Sequence, residues 1–113
     1  MNNMPPDLRA DLSDDPEYQK CARLGPDCDG RITWEHAITY AGRQVQKRWA
    51  ILPLCEFHHS VNKHQDGGNL NKEINRLLCY RRGRISEWRR DYPKAVDAWV
   101  KEWKYLEQKY GKN

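Results

Sequence analysis

The sequence predicts an α+β fold: a small two-stranded core followed by C-terminal helices. Three observations predict it. Two short segments, 31–38 and 49–54, carry the β-branched, aromatic and aliphatic residues that favour strands. Apolar residues then recur at three- and four-residue intervals between Leu70 and Tyr110, the period of amphipathic helices. Around the strands stand Cys21, Cys28, Cys55 and His58, three thiols and an imidazole able to close on one ion.

A chain of 113 residues fits one domain and buries a modest core, so a metal staple would help it fold. Charged residues reach 32%, yet five Trp and six Tyr supply large surfaces to bury, which argues against disorder. No apolar run approaches the ~18 residues of a membrane span. Residues 1–15 lack the basic start and apolar middle of a secretory signal. The expected location is therefore the cytoplasm, where cysteines close to histidine point to metal rather than disulfides.

The net charge of +4 is unevenly spread. Residues 1–30 carry a net of −4, residues 31–90 a net of +7 and residues 91–113 a net of +1. The basic surplus sits beside the His/Cys cluster. It suits a phosphate-bearing partner or a solvated basic surface, and charge alone does not separate the two.

Taken in order, residues 1–17 read as a flexible N-terminal arm, with Pro5, Pro6, Pro16 and several Asp, and residues 18–113 as the single domain. Within that domain, 18–64 form the core and 69–110 a helical extension. Cys21 and Cys28 flank the turn-forming Gly25-Pro26-Asp27. Arg31 to Ile38 contains the first strand, and Gly42 to Lys47 a polar loop or hairpin connection. Trp49 to Leu54 forms the second strand, with Pro53 expected at its end. A helix is expected from Cys55 towards His64, ended by Asp66-Gly67-Gly68. Leu70, Ile74, Leu77 and Leu78 predict a helix over 70–82, and Ile85, Trp88 and Tyr92 a short one after it. Pro93 opens the last helix, whose Val96, Trp99, Val100, Trp103, Leu106 and Tyr110 share one face. Those aromatics read as core rather than as a base-stacking platform.

Cys55-x2-His58 has the spacing of half a zinc site at a helix start. Cys21 and Cys28 supply the other half, although their gap is wider than usual. Four ligands make a closed, structural site; the alternative is buried free thiols beside an unrelated His. Cys79 reads as a plain core cysteine. His59 lies roughly 100° further round the helix than His58, so it faces something else. Glu35-His36 ends the first strand, and the second strand leads straight into His59. A carboxylate and two imidazoles thus converge. Glu oxygen and His nitrogen suit Mg²⁺ or Mn²⁺. A free imidazole beside such an ion can take a proton from water near neutral pH, which phosphodiester hydrolysis requires. His64 reads as an exposed helix-end residue or an extension of the metal site.

Ile32-Thr33-Trp34-Glu35-His36-Ala37 and Leu52-Pro53-Leu54-Cys55-Glu56-Phe57-His58-His59 together resemble an HNH endonuclease with a ββα-metal core. The resemblance spans about residues 20–64 and is closest to the phage recombination-enhancement (Ref) nucleases, which depend on a RecA-type filament. It implies His36 as general base, and Glu35 and His59 as ligands of a catalytic divalent ion (Mg²⁺ or Mn²⁺). It also implies Cys21, Cys28, Cys55 and His58 as structural zinc ligands, and DNA cut to 5′-phosphate and 3′-hydroxyl ends. A bacterial or phage-infected cell is the implied setting.

The chain departs from the pattern in three ways. Ala50 stands where the middle Asn is usual, with Asn62 as a candidate substitute. Neighbours in a regular strand point to opposite faces, so Glu35 and His36 share a site only if the strand breaks there. The N-terminal arm is short and acidic where Ref proteins have a long basic one. Arg43, Lys47, Arg48 and Lys63 are the expected DNA contacts, mostly to phosphates and with little sequence readout. The competing expectation is an inactive zinc-stabilised DNA-binding module, which Ala50 favours; the Glu35, His36 and His59 set favours the enzyme.

Overall fold

The computed structural model describes residues 4–23, 25–59 and 69–111. It is an α+β fold. A helix α1 (Pro6–Ser13) and a 3-10 turn (Pro16–Gln19) precede strands β1 (Ile32–His36), β2 (Thr39–Tyr40) and β3 (Arg43–Gln44). A second 3-10 turn (Arg48–Ala50) leads into β4 (Ile51–Cys55), and the chain becomes helical at once over residues 56–59, here α2. Helices α3 (Asn69–Arg82), α4 (Ile85–Asp91) and α5 (Val96–Tyr110) complete it.

The central ladder pairs β1 with β4 antiparallel, Ile32 opposite Cys55 and His36 opposite Ile51. Pro53 falls in the middle of β4, opposite Trp34, and not at the strand end expected for it. The register explains why this is tolerated. Ala37 N–H donates to Ala50 O at 3.0 Å, so hydrogen-bonded pairs fall at Glu35/Leu52 and Thr33/Leu54. Trp34/Pro53 is then a non-bonded pair, whose missing amide hydrogen costs the ladder nothing. The Pro53 carbonyl faces outward and accepts from Ala22 N–H at 2.8 Å, tying the cysteine loop to the strand.

β2 and β3 form a hairpin closed by Ala41-Gly42. Both residues have positive φ, 54° and 78°, the two-residue turn whose twist matches its strands. Of the polar loop and the hairpin connection that the sequence left open here, the structure has the hairpin.

Within the segment 1–17, expected as a flexible arm, the described residues from Met4 onwards hold a helix and the start of a 3-10 turn. Residues 6–13 are helical, with Pro6 at the first helical position. Leu12, at 0% exposure, joins Met4, Tyr18 and Ile51 in a small second core, with Trp34 packed against it. Trp34 Nε1–H donates to Tyr18 O at 2.9 Å. The helix has too few apolar residues to announce itself; tertiary burial, not propensity, holds it.

The main core lies between β4 and α3–α5. Every residue of β4 is buried. Trp49, Trp88 and Trp99 meet Tyr80, Tyr92 and Trp103 in tilted and edge-to-face contacts at 5.3–6.3 Å. Trp99 is buried and Trp103 packs against the core, as their helical spacing predicted. Among the described residues, no helix is long and apolar enough to cross a membrane.

Candidate metal centre and active site

Four ligand atoms meet where the cysteine loop abuts the start of α2. Nδ1 of His58 lies 3.3 Å from Sγ of Cys21, 3.6 Å from Cys28 and 3.2 Å from Cys55. All four ligand atoms are within 4.8 Å of one another. A tetrahedral zinc with bonds of about 2.0–2.3 Å needs edges of roughly 3.3–3.8 Å, so the donor set is close enough to hold such an ion. The wide Cys21–Cys28 gap is folded back by a turn in which Cys28 N–H donates to Gly25 O. Phe57 N–H donates to Asp29 O at 3.1 Å and pins the loop to α2. Gly30, at φ 86°, is required here: a Cβ would stand 2.4 Å from Glu56 Oε1.

The thiols are unequal. Burial pushes the Cys21 thiol up to about 11. Burial also acts on Cys55, but backbone N–H donors at His58 and Asp29 and the facing thiols outweigh it and bring the thiol down to about 7. His58 N–H reaches Cys55 Sγ at 3.4 Å. Of the two, Cys55 is the sulfur that gives up its proton more readily. The outer ring nitrogen of His58, Nε2, lies 3.3 Å from Asp27 Oδ1. A carboxylate there holds the ring so that Nδ1 presents its lone pair to the thiols. Cys79 stands apart, buried on α3, its thiol pushed up to about 12 by burial.

His59 occupies a second arrangement, on the other side of β1. Thr33 and Glu35 are two residues apart, hence on one face of the strand. Thr33 Oγ1 lies 2.7 Å from His59 Nδ1, and Glu35 Oε1 lies 3.3 Å from His59 Nε2. The Thr33 hydroxyl spends its one hydrogen on Leu54 O at 2.9 Å. Towards His59 it can only accept, so Nδ1 carries the ring proton. Nε2 then faces the Glu35 carboxylate, with which it can form an ion pair as N–H or flank a cation as a lone pair. Ligand atoms around an ion with bonds of about 2.1 Å stand roughly 3.0–3.4 Å apart, which fits.

Glu35 and His36 both line one cavity of about 260 Å³, together with Thr39 and with Lys72, Asn75 and Arg76 from α3. His36 is the last residue of β1, paired in register with Ile51. Its Nε2 lies 2.9 Å from Gln46 Oε1. Asn75 is 2% exposed, and its Oδ1 has no hydrogen-bond partner among the described residues.

No known family model, curated protein or solved structure matches this chain.

The structure thus brings Cys21, Cys28, Cys55 and His58 together, joins Glu35 to His59, and sets Glu35 beside His36. Arg43 and Lys47 are exposed around the hairpin. Arg48 is engaged: its guanidinium pairs with Asp11 at 2.8 Å and with Asp15, and lies 5.2 Å over the Tyr18 ring. Asn62, Lys63 and His64, and the expected end of the helix that begins after Cys55, lie outside the described residues. Sequence reasoning missed Asp27, Thr33, Gln46 and Asn75. Thr33 alone carried a signal, its place two residues before Glu35 on a predicted strand.

Proposed function

We propose that this chain is a metal-dependent DNA endonuclease of the HNH type, stapled by zinc at Cys21, Cys28, Cys55 and His58. The observation that carries this reading is the Glu35–His59 pair, a carboxylate and an imidazole 3.3 Å apart, with Glu35 lining a polar cavity that His36 shares.

When bound between Glu35 and His59, a divalent ion would draw charge from the scissile phosphate and its leaving oxygen. The chain's own residues do the rest. Thr33 keeps His59 in the tautomer that leaves Nε2 free. His36 takes a proton from the attacking water on the cavity side. Lys72 and Arg76 line the same cavity and attract the phosphodiester by charge. Arg76 is held for this by Nε–H to Glu102 at 3.0 Å, and Tyr80 O–H donates to the same carboxylate. The products would carry 5′-phosphate and 3′-hydroxyl ends. Dependence on a RecA-type recombinase filament, and a phage or bacterial setting, follow from the sequence resemblance alone.

One observation favours a second reading, a zinc-stabilised DNA-binding module without activity. Ala50, at the position of the usual HNH asparagine, is fully buried and offers no polar side chain.

The test is cleavage of supercoiled plasmid and single-stranded DNA with Mg²⁺ or Mn²⁺, with and without a recombinase filament, beside His36→Ala. Metal-dependent cutting that disappears in His36→Ala supports the enzyme. Zinc-loaded protein that binds DNA and cuts nothing in any lane leaves the module.

A further inference from the structure

We infer that Gln46 is the positioning residue of His36: it fixes the ring as the Nε2–H tautomer and leaves Nδ1 as the basic nitrogen towards the cavity. The inference deepens the nuclease reading and, as to what His36 is positioned for, rests on it.

The chemistry is that of one hydrogen bond. A glutamine carbonyl oxygen only accepts, and with Gln46 Oε1 placed 2.9 Å from His36 Nε2 the contact assigns the ring proton to Nε2. The neutral ring has a single proton, so Nδ1 holds the lone pair. His36 lines the cavity with Glu35 and Gln46 does not. The ring nitrogen bonded to Gln46 is thus engaged by a residue outside the cavity lining, which leaves Nδ1 as the nitrogen available to it.

Gln46 is itself fixed at both ends. On one side Val45 is fully buried, and its N–H donates to Ile38 O at 3.0 Å. On the other, Ala50 N–H donates to Lys47 O at 2.9 Å, and Trp49 and Ala50 are buried. The short segment between β3 and β4 is thereby a rigid bracket reaching back to the end of β1, where Ala37 N–H meets Ala50 O. A half-buried amide on such a bracket loses little freedom when it bonds. It does so from the segment just before Ala50, where the HNH resemblance expects an asparagine and the chain has none.

The experiment is ring ¹⁵N–¹H correlation spectroscopy of the zinc-loaded protein, with His36 assigned through His36→Gln. Gln46→Ala and Gln46→Glu are compared with it, and zinc content and circular dichroism confirm the fold of each. The native protein and Gln46→Glu, which keeps an acceptor, should give the Nε2–H pattern with a resolved ring N–H signal. Gln46→Ala should lose that signal, and its kcat on plasmid should fall about 10- to 100-fold with KM unchanged. An Nδ1–H pattern in the native protein, or a signal that survives in Gln46→Ala, overturns the inference. The Nε2–H pattern in a native protein that cuts no DNA refutes the nuclease reading and leaves the Gln46 assignment standing.

Discussion

Thr33 and Glu35 close on opposite edges of one imidazole, the hydroxyl 2.7 Å from His59 Nδ1 and the carboxylate 3.3 Å from Nε2. The two-residue repeat of a strand puts both on the same face, and the register with β4 places that face against the start of α2. Thr33→Val keeps the β-branched shape and removes the acceptor. Its effect should be a loss of about 10- to 100-fold in affinity for Mn²⁺, measured by calorimetry or electron paramagnetic resonance, with zinc content unchanged. Equal Mn²⁺ affinity in Thr33→Val would remove Thr33 from the site.

The cysteines should divide cleanly. Cys28→Ser and His58→Ala should abolish the one-to-one zinc content measured by mass spectrometry. They should also lower the thermal midpoint steeply, since a structural zinc supplies about 10–16 kcal/mol in small zinc-binding peptides. Cys79→Ala should keep full zinc and cost on the order of 1 kcal/mol, the loss of one buried heavy atom. Zinc lost from Cys79→Ala would contradict the four-ligand assignment.

Arg48 is held by Asp11 and Asp15 and is covered by Tyr18. If DNA reaches this face, the carboxylates compete with phosphates. Asp11→Asn with Asp15→Asn should tighten DNA binding at low salt and steepen the salt dependence by about 0.9 per phosphate gained. Fluorescence anisotropy over a salt series reads both. An unchanged slope would place Arg48 off the DNA path.

Asp91 gives a pH prediction. The Arg90 guanidinium, and then the Trp49 indole N–H at 3.0 Å, hold its carboxyl well below the usual range against the opposing pull of burial. A carboxylate lowered by folding contributes stability that is fully present above its unfolded value, about 3.9, and is lost as the pH falls through the folded value. Asp91→Asn should therefore lower the urea midpoint at pH 7, and the gap to the native protein should begin to narrow at about pH 4 and go on shrinking as the pH falls further. A gap independent of pH would show that the carboxylate charge is not what Trp49 and Arg90 require.

The residues differ in how readily the sequence alone places them. Cys55-x2-His58 is legible because both ligands lie within one helical turn, where spacing and geometry are the same thing. The faces of α3 and α5 are legible for the same reason. The order of β1, β4 and the C-terminal helices follows from period and composition. Residues 6–13 are not legible as a helix: the segment is short and polar with few apolar residues, and what orders it is the burial of Leu12 against a strand some 40 residues later in the chain. Pro53 misleads because only the ladder register shows which of its edges lacks a partner. Gln46 and Asp27 are opaque in principle. Each earns its place through one side-chain contact across a turn or a loop, and no period or motif encodes such a contact.

Pro53 has one more consequence. A strand in which every residue is buried and apolar is the kind of segment that recruits copies of itself when its rim is open. Here the outer rim of β4 has no amide hydrogen to offer at its midpoint, and the carbonyl beside it is already taken by Ala22. A second chain adding along that rim would find the central rung of its hydrogen-bond ladder blocked, so the most apolar stretch of the protein is also the one guarded against aggregation.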